Sequence, residues 1–245
     1  MGDIADVFQE LRRDVVSFVE SLPEEDLKRE LPATPGWTVR DVIAHLAGDS
    51  NGVNEGDFPQ QFFDSFGDEA AVVVLNKWTQ AHIERRKDMT LEEILKEWDE
   101  SSAHIVAMMR GDEQMPDNVP PFADRVLLTD LAVHQQDIFG AFGIERARDA
   151  APIKIATSGY VAVMGLRLAT AGIPPLRLDA GDKVYATSDG EPGATVKAPS
   201  RFEFFRALSG RRSPEQILAY EWDGDPKPYV SYFYPYGIRK DALVE

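Results

Sequence analysis

Cysteine is absent from the 245 residues. That excludes disulfides, thiolate metal ligands and a cysteine nucleophile. Histidine is scarce, limited to His45, His82, His104 and His134. Positive charge is in deficit: 26 Lys and Arg stand against 42 Asp and Glu, a formal net charge of −16. So acidic a chain repels phosphate backbones, and no nucleic-acid partner is expected. Its compact basic cluster is Arg211-Arg212, with Arg206 just upstream. Long apolar runs are missing as well. The best stretch, 160–173, falls short of the roughly 20 residues of a membrane span and contains Arg167. The N-terminus shows no basic region followed by an apolar core, so no signal peptide is visible. The expectation is a cytoplasmic protein without a membrane partner, as a monomer or homodimer.

What is present is organised around residues 122–142. Val126, Leu127, Leu128, Leu131, Val133, Ile138 and Phe139 put apolar groups on more than one face, the mark of a buried helix. Asp130, His134 and Asp137 nevertheless fall at i, i+4 and i+7 and share one face. Burying such groups alone costs roughly 2–7 kcal/mol for a polar group and more for a charge. They need partners: each other, another helix or a metal.

The segments before this helix are helical too. Ile4, Val7, Phe8, Leu11, Val15, Phe18 and Leu22 give an amphipathic helix over 4–22, with Pro23 opening a short piece to residue 30. Thr38 and Asp41 approximate a capping box, and Trp37 and Val42 have the spacing of a hydrophobic staple. The helix they start carries His45 and is expected to fray or end at Gly48 or Asn51-Gly52. Residues 53–67, with four phenylalanines, read as a loop. Helices are expected over 68–87 and, behind the Thr90–Glu93 capping box, over 91–110. Four substantial helices with one or two short pieces pack naturally as a bundle. From residue 151 the character changes. One more helix, 152–172, precedes short β-like pieces at 176–178, 183–187 and 195–197. Capping boxes at Ser200–Glu203 and Ser213–Gln216 then start two short helices. An aromatic tail over 220–238 is left for a last strand or an ordered arm. The division expected is 1–150 for the bundle and 151–245 for a smaller α+β domain.

An acidic residue and a histidine at i, i+4 can face one ion, and a histidine from a neighbouring helix makes three ligands, which leaves an open position. His45, Asp130 and His134 are that candidate set. Asp137 is either a partner behind them, holding an imidazole N–H, or a solvent-facing carboxylate. The alternative is a structural Asp130–His134 pair with His45 a core histidine, and spacing alone does not separate the two. His82 and His104 lack companions at useful spacing and read as surface or core-edge residues.

The stretch Thr34-Pro35-Gly36-Trp37-Thr38-Val39-Arg40-Asp41-Val42-Ile43-Ala44-His45-Leu46 is followed about 85 residues later by Asp130-x-x-x-His134-x-x-Asp137. This resembles the mycothiol-dependent maleylpyruvate isomerase family of the DinB-like metal-binding four-helix-bundle superfamily. The segments Arg206–Ser213 and Trp222-Asp223-Gly224-Asp225-Pro226 are similar to the tails of its actinobacterial members. The resemblance implies an α+β, mainly α protein: an N-terminal DinB-like bundle, then the smaller C-terminal domain. It implies a metal triad at His45, Asp130 and His134, holding a divalent ion with zinc first among the choices. The family has Glu where this chain has Asp130, one methylene shorter, which implies altered, looser or water-bridged coordination.

The chemistry implied is that of an enzyme borrowing mycothiol or a similar thiol as cosubstrate. A metal-held thiolate adds to a small electrophile, and is then released (isomerase) or retained (S-transferase). A carboxylate on that substrate would need a cation, for which Arg206, Arg211 and Arg212 are the candidates. Two other functions remain open: a non-catalytic metal-binding or stress-associated bundle, and a metal-dependent hydrolase using metal-bound water.

Overall fold

A computed structural model describes residues 3–245. Its helices are α1 (Ile4–Glu20), α2 (Glu24–Leu27), α3 (Val39–Glu55), α4 (Gln60–Asp64), α5 (Glu69–Arg85), α6 (Leu91–Arg110), α7 (Ala123–Ala141), α8 (Ala151–Thr170), α9 (Arg201–Leu208) and α10 (Pro214–Leu218). Its strands are β1 (Leu176–Asp179), β2 (Val184–Ala186), β3 (Ala194–Lys197) and β4 (Glu221–Asp223). The protein is mainly α, with a small α+β part at the C-terminal end. Among the described residues no helix is long and apolar enough to cross a membrane. The chain divides into two compact units: one reaches to Ser65 and resumes over Val73–Arg146, and the other joins Phe66–Val72 to Ala147–Glu245.

In the first unit α1, α3, α6 and α7 pack together as the bundle. The stripe read on α1 is buried at Val7, Phe8, Leu11 and Val15. Both capping boxes form. Asp41 N–H donates to Thr38 Oγ1 (3.2 Å) while Thr38 N–H donates to Asp41 Oδ2 (2.9 Å), and Thr90 and Glu93 do the same on α6.

Two expectations fail nearby. Helix α3 does not end at Gly48 or Gly52; it runs to Glu55 and closes on the left-handed Gly56. The internal glycines are there for close approach. A Cβ at position 48 would run into the root of the His82 side chain, and one at 52 would stand 2.8 Å from the Asp57 carbonyl oxygen. The expected loop over 53–67 accordingly begins later and contains α4, on which Phe62 is buried.

The second unit carries a four-stranded sheet in the order β2-β1-β3-β4. Strand β1 is antiparallel to β2 and parallel to β3, and β4 pairs antiparallel with β3. Leu176, Leu178, Ala194 and Val196 are buried and alternate with more exposed residues, which is why these short segments hold one register. The aromatic tail supplies β4, and the Trp222 indole N–H donates to the Ile217 carbonyl (3.0 Å). At Ser200–Glu203 only half the capping box forms. Ser200 accepts from Glu203 N–H, but the Glu203 carboxylate is engaged twice by the Arg212 guanidinium, at 2.8 Å each.

Candidate metal centre

The site is built inside the first unit from three helices. The capping box fixes where α3 starts, and therefore the phase at which His45 faces α7. Across from it stand Asp130 and His134. His45 Nε2 lies 3.1 Å from Asp130 Oδ2, and His134 Nε2 lies 3.7 Å from the same oxygen. The two imidazoles meet edge to face, 5.2 Å between centroids. Both are buried, whereas the Asp130 side chain keeps 28% of its surface exposed. The half-buried Trp37 ring lies against both, 5.1 Å from His45 and stacked at 6.0 Å on His134. The residue read as a staple thus also covers the histidine pair.

The far edges of the two rings face further carboxylates. His134 Nδ1 is 3.0 Å from Asp137 Oδ2, and His45 Nδ1 is 3.5 Å from Asp49 Oδ1. Neither approach has the alignment of a full hydrogen bond. Asp49 Oδ1 is also 3.2 Å from Nδ1 of His82, whose ring stacks on that of His45 at 5.7 Å. The edge of Trp78 closes on the other side of His82, 4.1 Å away. Arg86, clamped by Glu97 at 2.6 and 3.0 Å, donates to the His82 carbonyl (3.0 Å) and ties this end of α5 to α6.

Charge follows the geometry. Burial alone would raise Asp130, but the His134 and His45 imidazoles and the hydrogen bond to His45 hold its carboxyl well below the usual range. Burial would lower His45, but Asp49 and Asp130 on either side raise it. Asp49 is raised, chiefly by burial, with Asp130 adding to the effect.

Asp49 and His82 are the residues that reading the sequence missed. Asp49 follows His45 by four, the spacing that singled out Asp130 and His134, but it falls just past the glycine taken as a helix end. His82, expected at the surface or core edge, is only 1% exposed, because Gly48 leaves room for its ring. His104 is exposed, 2.9 Å from Glu113.

The three arginines lie in the second unit. Arg206 is fully buried, its Nε 2.8 Å from Glu245 Oε2. Arg212 is held between Glu203 and Glu245. Arg211 is half-buried and donates to the Ser209 carbonyl (2.7 Å). Two of the guanidiniums thus already have carboxylate partners within this chain, the kind of partner a substrate was expected to bring.

Residues 8–139 match the family described as the mycothiol maleylpyruvate isomerase N-terminal domain. The chain belongs to that family. The match takes in His45, Asp49, His82, Asp130, His134 and Asp137. No curated protein matches the chain. Two solved structures share its fold. One is the crystal structure of the mycothiol-dependent maleylpyruvate isomerase: 13% identity, TM-score 0.54, covering 85% of this chain and 88% of that one. The other is a histidine-to-alanine mutant of that isomerase: 12% identity, TM-score 0.53, covering 84% and 88%. In this member of the mycothiol maleylpyruvate isomerase family, one donor atom each from His45, Asp130 and His134 lie within 4.8 Å of one another. Two imidazoles and a carboxylate suit a zinc-like divalent ion, so the residues fit such a group. A second set, His45, Asp49 and His82, meets the same distance.

Proposed function

We propose that the chain is an enzyme of the isomerase or S-transferase type, using a divalent ion (zinc first) and mycothiol or a similar small thiol, and acting on a small electrophile. The observation that carries this reading is the convergence of His45 Nε2, His134 Nε2 and Asp130 Oδ2, with only the carboxylate reaching solvent. His45, Asp130 and His134 would hold the ion. When bound, it supplies the charge that lowers a thiol's pKa and keeps the thiolate available as nucleophile. Trp37 shields both imidazoles from water and gives the site an aromatic wall. Asp137 orients His134 through Nδ1. Arg206, Arg211 and Arg212 stay in the proposal as the carboxylate-binding groups, with the condition that a substrate must displace Glu245 or Glu203 from Arg206 or Arg212.

The test is elemental analysis of the untagged protein beside His134→Ala, then turnover of activated double bonds with and without a thiol. About one divalent ion per chain, lost in the variant, is expected for three ligands and an open position. No ion after incubation with zinc would leave Asp130 and His134 as a structural pair in a binding module. Cleavage of an ester or amide that needs the ion but no thiol would move the assignment to hydrolysis by metal-bound water.

A further inference from the structure

The structure assigns Asp49 and His82 to a buried positioning pair that fixes the ring of His45, Asp49 by accepting its Nδ1–H and His82 by holding Asp49 in place. Of its two consequences, the Nδ1–H resonance of His45 stands without the proposed ion, and the zinc affinity rests on it. A neutral imidazole has one lone pair and one N–H. With Nε2 of His45 turned to Asp130 and His134, a lone pair given there to the proposed ion would leave the proton on Nδ1; with no ion bound, Nε2–H donates to Asp130 and Nδ1 carries a proton only in the imidazolium. Among the described residues the ion-pair neighbour of that nitrogen is Asp49 Oδ1. Histidines that hold metals commonly give their second N–H to a carboxylate, and the arrangement fixes both tautomer and tilt. On α7 the same pattern is present in His134 and Asp137.

Why a second histidine stands behind Asp49 follows from burial. Asp49 is enclosed, and Oδ1 has His45 on one side and His82 on the other. The seat of His82 is made for it. Gly48 removes the Cβ that would collide with the ring, Trp78 meets it edge-on, and Arg86 grips the His82 carbonyl. Neither ring nitrogen of His82 completes a hydrogen bond within the protein, and the side chain is almost wholly enclosed. A ring held that firmly, with Nδ1 turned to Asp49, limits where the carboxylate can go. The same atoms are close enough to hold a second ion. That use would need His45 to ligate through both nitrogens, which demands an imidazolate. Positioning needs no such deprotonation, and the geometry favours it.

Nitrogen-edited NMR of the ion-free protein, recorded at a pH where His45 is the imidazolium and carries both N–H groups, tests this without any ion. An Nδ1–H resonance of His45, slow to exchange and shifted downfield, is expected in the native chain. It should be lost in Asp49→Ala and weakened in His82→Phe, which keeps a ring against Gly48 and Trp78. Its absence in the native chain, or its survival in Asp49→Ala, overturns the proposal. Zinc competition with a chromophoric chelator is the second measurement. Asp49→Ala should weaken affinity about 10- to 100-fold, the usual effect of a partner behind a ligand. A loss as complete as that of His134→Ala would make Asp49 a ligand and overturn it. Two ions per chain, one of them lost in His82→Phe, would do the same. If no variant and no native protein binds zinc, the proposed function fails while the NMR result still decides the role of Asp49. Should Asp49→Ala not fold, Asp49→Leu keeps the volume, removes the acceptor and serves for both measurements.

Discussion

Replacing Gly48 by Ala separates two readings of one glycine. A glycine inside a helix normally weakens it, and Ala there recovers about 1 kcal/mol. On that ground alone Gly48→Ala should stabilise α3. The structure predicts the opposite. The new Cβ would overlap His82 Cβ and Cγ and lie 2.7 Å from Nδ1. Those atoms belong to the root of the side chain, so changing the rotamer does not clear the overlap. The ring is also confined by His45 at 5.7 Å and Trp78 at 4.1 Å. The helices α3 and α5 must therefore move apart. Overpacking a core costs about 1–3 kcal/mol, and a backbone-proximal clash belongs near the upper end. Subtracting the helix-propensity gain leaves a net loss of about 2 kcal/mol. With an m-value of about 2 kcal/mol/M in urea, the midpoint should fall by about 1 M. The assay is urea unfolding of chelator-treated protein followed by tryptophan fluorescence, Trp78 being beside the perturbation. A midpoint that stays or rises would refute the close-approach argument and return Gly48 to an ordinary helix glycine. His82→Ala should not rescue the variant, because the Cβ–Cβ overlap remains.

In the second unit, Gly165→Ala drives a Cβ into the Thr187 carbonyl, and a loss of about 3 kcal/mol or more is expected in the same assay. Zinc at about 100 times its Kd should add ~2.7 kcal/mol to the native protein and nothing to His134→Ala, readable as a shift in the urea midpoint. Asp130→Asn removes the shared carboxylate charge and should abolish zinc retention in elemental analysis; retention at the native level would exclude Asp130 as a ligand. Glu203 gives the second unit an acid limit. Burial alone would raise its carboxyl, but the Arg212 guanidinium holds it below the usual range. A lowered folded-state pKa contributes stability that is complete above the ordinary Glu value and is lost as pH falls through the lowered one. Glu203→Gln should flatten that part of an acid-unfolding curve, and an unchanged curve would show that the pair contributes nothing.

Much of the fold could be read from local patterns. The α1 stripe, the Thr38 and Thr90 capping boxes and the short β piece at 176–178 are set by residues close in sequence, and each formed. What was not legible depends on distant partners. Gly48 and Gly52 look like helix ends until His82 and Asp57 are placed beside them. The Glu203 side chain left its capping box because Arg212, nine residues on, offers two charged hydrogen bonds against one neutral backbone donor. The same limit applied to the site. His45, Asp130 and His134 stood out by type and spacing, whereas His82 has no acidic neighbour on its own helix face, and its partner Asp49 lies on another helix.

The two histidines that face Asp130 each have their second carboxylate on their own helix, Asp49 four residues after His45 and Asp137 three after His134. Such pairs lie on one face by helix geometry alone. On the pairing proposed above, each ring takes its orientation from a carboxylate of its own helix, with His82 of α5 holding Asp49 on the α3 side. Packing then has to supply the distance and phase between α3 and α7. Phase is fixed on α3 by the Thr38–Asp41 box. Asp130 is the one member that touches both rings and still reaches solvent, so its side-chain length is the site's free variable. Lengthening it in Asp130→Glu moves the shared oxygen by one methylene while both imidazoles keep their own carboxylates. If helix-internal pairing governs the rings, that change should alter zinc affinity without altering the Nδ1–H resonances of His45 and His134. A change in those resonances as large as the change in affinity would show instead that Asp130 itself sets the rings.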